Sequence, residues 1–100
     1  MTRRLILRPA AEADMAEAAL WYESRSIGLG AEFLRAVETS LEEIRRSPER
    51  FPEVYRGARR ALLRRFPYAA YFVATDASIR VFACIHVKRA PRRWQRRMDG

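Results

Sequence analysis

The sequence predicts an α+β fold in the order β-α-α-β-β-β, an antiparallel sheet with an N-terminal helical hairpin packed on one face. Three observations predict it. Apolar residues recur with a period near 3.6 up to about Arg46 and near 2 beyond Arg59. Glycine and proline interrupt the chain at 26–30, 47–52 and 66–67. Helices grouped ahead of a run of strands pack as one layer on a sheet. A chain of 100 residues supports one modest core, because it buries about two-thirds of the surface its unfolded form exposes. Residues 1–100 are therefore expected to form one domain, with a basic tail from about 90 to 100.

Residues 3–8 alternate weakly and read as a short strand, which joins the sheet because an isolated strand is not stable. The segment Met1–Pro9 begins basic and apolar, as a signal peptide does. It lacks a long apolar region and a small-residue cleavage site, so a cytoplasmic location is expected. Pro9 suits the first position of a helix, where its missing N–H costs nothing. From Ala10 to Arg25, Ala11, Met15, Ala18, Ala19 and Tyr22 fall at helical spacing, and Trp21 and Tyr22 are expected to pack inside the hairpin. Ser26–Gly30 breaks the pattern. A second helix is expected from Leu29 to Arg46, with Phe33, Val37, Leu41 and Ile44 as its apolar stripe and Leu34 beside it. Pro48 and Pro52 stop it.

The second half alternates. Arg59–Phe66 reads as a strand with Ala61 and Leu63 on one face and Leu62 on the other, followed by a turn at Phe66–Pro67. Tyr68–Thr75 is rich in aromatic and β-compatible residues, with Tyr71 and Phe72 expected in the core. After a polar turn at Asp76–Ser78, Ile79 to Val87 is expected to place Ile79, Val81, Ala83, Ile85 and Val87 on one face. Arg80, Phe82, Cys84 and His86 then take the other. Ala90–Gly100 reads as a basic tail with a helical turn near Trp94, a side chain expected to be exposed or held at an interface.

Charge is distributed unevenly. The net charge of +8 divides into 8 basic and 10 acidic residues over 1–54, against 12 basic and 2 acidic over 55–100. All the basic residues except Lys88 are arginine, whose planar fork matches carboxylates and phosphates. Such a block points to a polyanionic or acidic partner for the C-terminal half. Several chemistries find no support. No apolar run approaches the roughly 20 residues of a membrane span. Cys84 is the only cysteine and His86 the only histidine, two ligands where a zinc site needs more, so no metal or other cofactor is expected. The five serines carry no nucleophile-elbow motif, and the four glycines make no phosphate-cradling loop.

The Arg-rich half is the chemical feature above background. Arg59, Arg60, Arg64 and Arg65 flank the first meander strand, and Lys88, Arg89, Arg92, Arg93, Arg96 and Arg97 follow the last. In a meander the first and third strands run the same way, so Arg64, Arg65, Lys88 and Arg89 are expected at one rim. Such a rim binds nucleic-acid phosphates or the carboxylates of an acidic protein segment.

Four stretches together carry a family likeness. Ser47–Tyr55, Arg59–Tyr68 and Ile85–Trp94, with Leu29-Gly30 ahead of Phe33-Leu34, resemble in this order the RelE/ParE toxin superfamily of type II toxin–antitoxin systems, ParE-like branch. The resemblance implies a plasmid-stabilisation-like toxin neutralised by an acidic cognate antitoxin, as a dimer or a toxin–antitoxin heterotetramer. ParE-like members inhibit DNA gyrase; RelE-like members cut messenger RNA on the ribosome. For a nuclease the resemblance singles out Arg60, Arg64 and Arg89, to which His86 is added as an acid–base group by its own chemistry, but Ala69 stands where an arginine is expected, and Trp94 or Gln95 where a tyrosine is. The non-nuclease reading is favoured. Arg59, Arg60, Arg64, Arg65, Lys88, Arg89, Arg92, Arg93 and Trp94 are then the candidates for binding target or antitoxin.

Overall fold

A computed structural model of the protein describes residues 3–99. Met1, Thr2 and Gly100, the ends of the expected first segment and basic tail, lie outside the described residues, as does the Asp99 side chain. The order is β1 (Arg4–Leu7), α1 (Pro9–Arg25), α2 (Leu29–Arg46), a 3-10 turn (Pro48–Arg50), β2 (Glu53–Tyr55), β3 (Ala58–Leu62), β4 (Tyr68–Ala74), β5 (Ser78–His86) and α3 (Arg92–Asp99). The five strands form one sheet in the order β1-β5-β4-β3-β2. β1 is its one parallel neighbour, pairing Leu5 with Ile79 and Leu7 with Val81. Every other pairing is antiparallel.

The helical hairpin lies where the sequence places it. Pro9 opens α1, and Glu12 in the first turn complements the helix dipole. Gly28 takes φ +90°, which lets the chain reverse, and Gly30 sits against α1. A Cβ at Gly30 would stand 2.6 Å from the Ala19 carbonyl oxygen. The Glu23 carboxylate accepts the N–H groups of both Gly28 and Gly30 at 2.9 Å, satisfying donors that the start of α2 would leave unpaired. Those bonds hold Glu23 below its ordinary pKa.

The hairpin buries Phe33 at the centre of an aromatic cluster. Tyr22 stacks on it at 5.3 Å, and Phe66 and Tyr68 meet it edge-on at 5.3 and 5.1 Å. Val37, Ile44, Phe72, Ile79 and Val81 complete this front core. The opposite face carries a smaller cluster of Ala58, Ala69, Tyr71, Ala83, Ile85 and Trp94.

Five expectations need correction. Glu53–Tyr55, which lies outside every element expected from sequence, is a short edge strand. β3 ends at Leu62 rather than Phe66, because the chain turns at once: Leu63 N–H bonds to the Tyr68 carbonyl and Arg65 takes φ +71°. β1 runs parallel to its neighbour, since no hairpin fixes its direction. The strict alternation of β5 breaks at a bulge: Phe72 pairs with Val81 and Tyr71 with Ala83, leaving Phe82 as the extra residue. Beyond it the faces exchange, so Cys84 joins Ile79 and Val81 in front while Ala83 and Ile85 turn to the back. Finally, the tail folds as an eight-residue helix. Its Trp94 is core, stacked on Tyr71 at 4.3 Å and edge-on to Tyr55 at 5.8 Å.

Candidate functional site

β1 stops at Leu7, while β5 continues to His86. Arg8 N–H makes the last backbone bond, to the Val81 carbonyl. Beyond it, among the described residues, no strand borders this edge of β5, and α1 passes beside the open edge. Between them lies a cleft of about 530 Å³. Glu17, Trp21 and Tyr22 line it from α1, Pro67 and Tyr68 from the β3–β4 turn, and Cys84, His86, Arg89 and Arg93 from the far side.

The open edge is closed at its base by side chains instead of a strand. Asp14 Oδ2 accepts the Cys84 N–H at 2.9 Å. Arg97 of α3 reaches over the edge and binds both oxygens of Asp14, at 2.6 and 3.0 Å, and also donates to the Phe82 carbonyl at 3.0 Å. The polar backbone groups freed by the bulge are thereby satisfied. The bond to Asp14 raises the Arg97 pKa, and the pair is partly buried.

The groups on the cleft wall are not set for nucleophilic chemistry. Burial, with the Asp14 charge adding to it, pushes the Cys84 thiol up to about 12, so it stays a thiol at neutral pH. Burial likewise raises the Tyr22 and Tyr68 hydroxyls. His86 packs edge-on to Tyr68 at 5.3 Å and accepts the Lys88 N–H on Nδ1 at 3.1 Å. Trp21, expected inside the hairpin, is half exposed at the cleft mouth, with the Arg25 guanidinium 4.6 Å from its ring centre. Among the described residues, no group of three or more His, Cys, Asp or Glu side chains could hold a metal ion.

The expected arginine rim is divided. The turn after β5 does lie beside Pro67, whose carbonyl accepts the Val87 N–H. Arg89 and Arg93 line the cleft there, and Lys88 is exposed next to Arg89. Arg64 and Arg65 turn the other way, to Glu43 and Glu32 of α2 at 3.1 and 2.9 Å. Arg59 is structural, donating to the Phe51 carbonyl at 2.6 Å. Arg60 lies on the opposite sheet face, hydrogen-bonded to Tyr71. Arg92 is exposed on α3. Of the four residues that a nuclease would use, only His86 and Arg89 share the cleft. Asp14 and Glu17 are not among the residues singled out from sequence, which gives Trp21 only a packing role, although their spacing of three and four residues sets them on one flank of a helix.

No protein-family model and no curated protein sequence matches the chain. A chain of a solved structure, "Chromosomal ParDE TA system from P. aeruginosa", superposes on it with a TM-score of 0.64. The superposition covers 85% of this chain and 96% of that one, at 20% sequence identity. The two chains share a fold. That ParDE chain has the architecture which the resemblance of residues 47–55, 59–68 and 85–94 led us to expect. No helix among the described residues is long and apolar enough to cross a membrane.

Proposed function

We propose that the chain is the toxin of a type II toxin–antitoxin pair, of the ParE-like kind, and that it works in the cytoplasm by binding and inhibiting DNA gyrase. The observation that carries this reading is the fold shared with the ParDE chain over nearly the whole of both proteins. The scattering of Arg60, Arg64, His86 and Arg89 favours binding over RNA cleavage, because phosphorane charge is stabilised only by cations gathered around one phosphate.

The cleft is the proposed binding surface. Trp21 offers a half-exposed ring on one wall, and Arg89 and Arg93 offer guanidinium forks on the other. An acidic, amphipathic antitoxin segment suits that pairing. It orders as it binds, with its apolar side chains on Trp21 and its carboxylates on the arginines. Toxin dimers and toxin–antitoxin heterotetramers are the assemblies this reading allows.

The test uses purified protein in two assays, gyrase supercoiling and cleavage of ribosome-bound messenger. Inhibition of supercoiling that weakens in the Arg89→Ala, Arg93→Ala double variant, with messenger intact, is the expected result. Cleavage of messenger that Arg89→Ala abolishes would overturn the proposal in favour of a ribosome-dependent endoribonuclease.

A further inference from the structure

Charge in this protein is sorted by layer. The two helices of the front layer carry eight acidic side chains against four basic ones. On the other face of the sheet the order is reversed. Leu5 and Leu7 pack into the front core, so alternation turns Arg4 and Ile6 of β1 to the back. Ile79 and Val81 likewise face front, which turns Arg80 to the back, beside Ile6. Arg60 lies on the same side, bonded to Tyr71. α3 rests there through Trp94 and exposes Arg92 and Arg96. Among the described residues no strand position on this side carries a carboxylate: Arg4, Ile6, Tyr55, Ala58, Arg60, Leu62, Ala69, Tyr71, Val73, Ser78, Arg80, Phe82, Ala83 and Ile85 occupy it.

We propose that this back face, from Arg4 and Arg80 across to Arg92 and Arg96 on α3, binds the phosphate backbone of double-stranded DNA without reading its sequence. Three features select that partner. Arg4, Arg80, Arg92 and Arg96 are exposed, so their forks are available to phosphate oxygens. The aromatic rings of this side, Tyr55, Tyr71 and Trp94, are packed against one another, leaving no platform on which a single strand could stack its bases. Around Arg4 and Arg80 the large apolar side chain Ile6 is partly buried, and the exposed Leu62 of this face lies two strands away on β3, whereas an acidic protein helix needs a row of apolar seats beside its charges. The acidic helical layer faces the opposite way and orients the molecule on a polyanion. The surface is separate from the cleft proposed for gyrase and antitoxin.

The test is a salt titration of binding to a labelled random-sequence DNA duplex. Wild type is compared with an Arg4→Ala, Arg80→Ala variant and with Arg35→Ala, Arg46→Ala, which removes the same charge from the helical layer. Removing two phosphate contacts lowers the slope of log K against log salt by about two units. The expected result is that loss in the first variant alone, with gyrase inhibition unchanged and native circular dichroism in both. Equal slopes in all three proteins, or equal losses in both variants, would overturn the proposal. So would tighter binding of single-stranded DNA of the same length. Displacement of the duplex by polyglutamate as effective as that by unlabelled duplex at equal charge would reassign the face to acidic protein.

Discussion

On the front of the sheet, two helices of 17 and 18 residues close over a ring cluster centred on Phe33. On the back, a single helix of eight residues rests on Trp94 and is tied across the β5 edge by Arg97 and Asp14. The front is held by many apolar contacts spread over periodic positions, so its loss is the loss of the fold. On the back, α3 is held by Trp94 packed on Tyr71 and Tyr55 and by Arg97 bonded to Asp14 and the Phe82 carbonyl, a smaller set of contacts that opens locally at lower cost. Rigidity and covering thus come from the helical layer, while the basic surface is shared between strands β1 and β5 and the more lightly held α3.

The difference can be broken most severely at Phe33. Phe33→Ala removes the ring that Tyr22, Phe66 and Tyr68 all touch and is expected to cost about 3–5 kcal/mol in denaturant unfolding. Trp94→Ala is expected to cost less, because α3 can detach while the front core remains. Hydrogen exchange checks this: α3 amides lose protection and α2 amides keep theirs. Equal losses in both helices would show the two faces to be one cooperative unit.

A smaller effect is expected from Arg97→Ala, about 1.5–3 kcal/mol for hydrogen bonds to a charged group. A double-mutant cycle with Asp14→Ala isolates the pair, and a coupling above about 0.5 kcal/mol is expected for residues in such contact. The smallest effect sharpens the front side. The Glu23 carboxylate is held below its ordinary value of 4.5 by the Gly28 and Gly30 N–H groups. Its contribution is therefore full above that value and lost as pH falls through the lower, folded one. The stability gap between wild type and Glu23→Gln is expected to be widest at neutral pH and to close in acid, as followed by thermal unfolding across pH.

The front was far more legible in the sequence than the back. Pro9, the glycines at 28 and 30, and Pro48 punctuate the hairpin, and Phe33, Val37 and Ile44 repeat at helical spacing, so local pattern alone placed both helices. α3 has only Trp94 and Met98 as its apolar residues, one pair four apart among arginines. That is too little periodicity to outweigh a charge run. The bulge at Phe82 left no mark because both faces of β5 are covered, and an apolar residue fits on either side of it. The candidate site was legible only in part. Lys88 and Arg89 stand beside Pro67 as the meander implied. The turn of Arg64 and Arg65 toward α2, and the meeting of Asp14 with Arg97, depend on contacts between residues far apart in the chain.

The central claim, a growth-arresting toxin that acts on gyrase without cutting RNA, is tested most directly by induced expression in a bacterium. Growth, plasmid supercoiling and messenger integrity are followed together. The account predicts arrest with gyrase-dependent loss of supercoiling while messenger stays intact. Arrest with intact DNA and loss of messenger, or unimpeded growth with soluble folded protein, would contradict it.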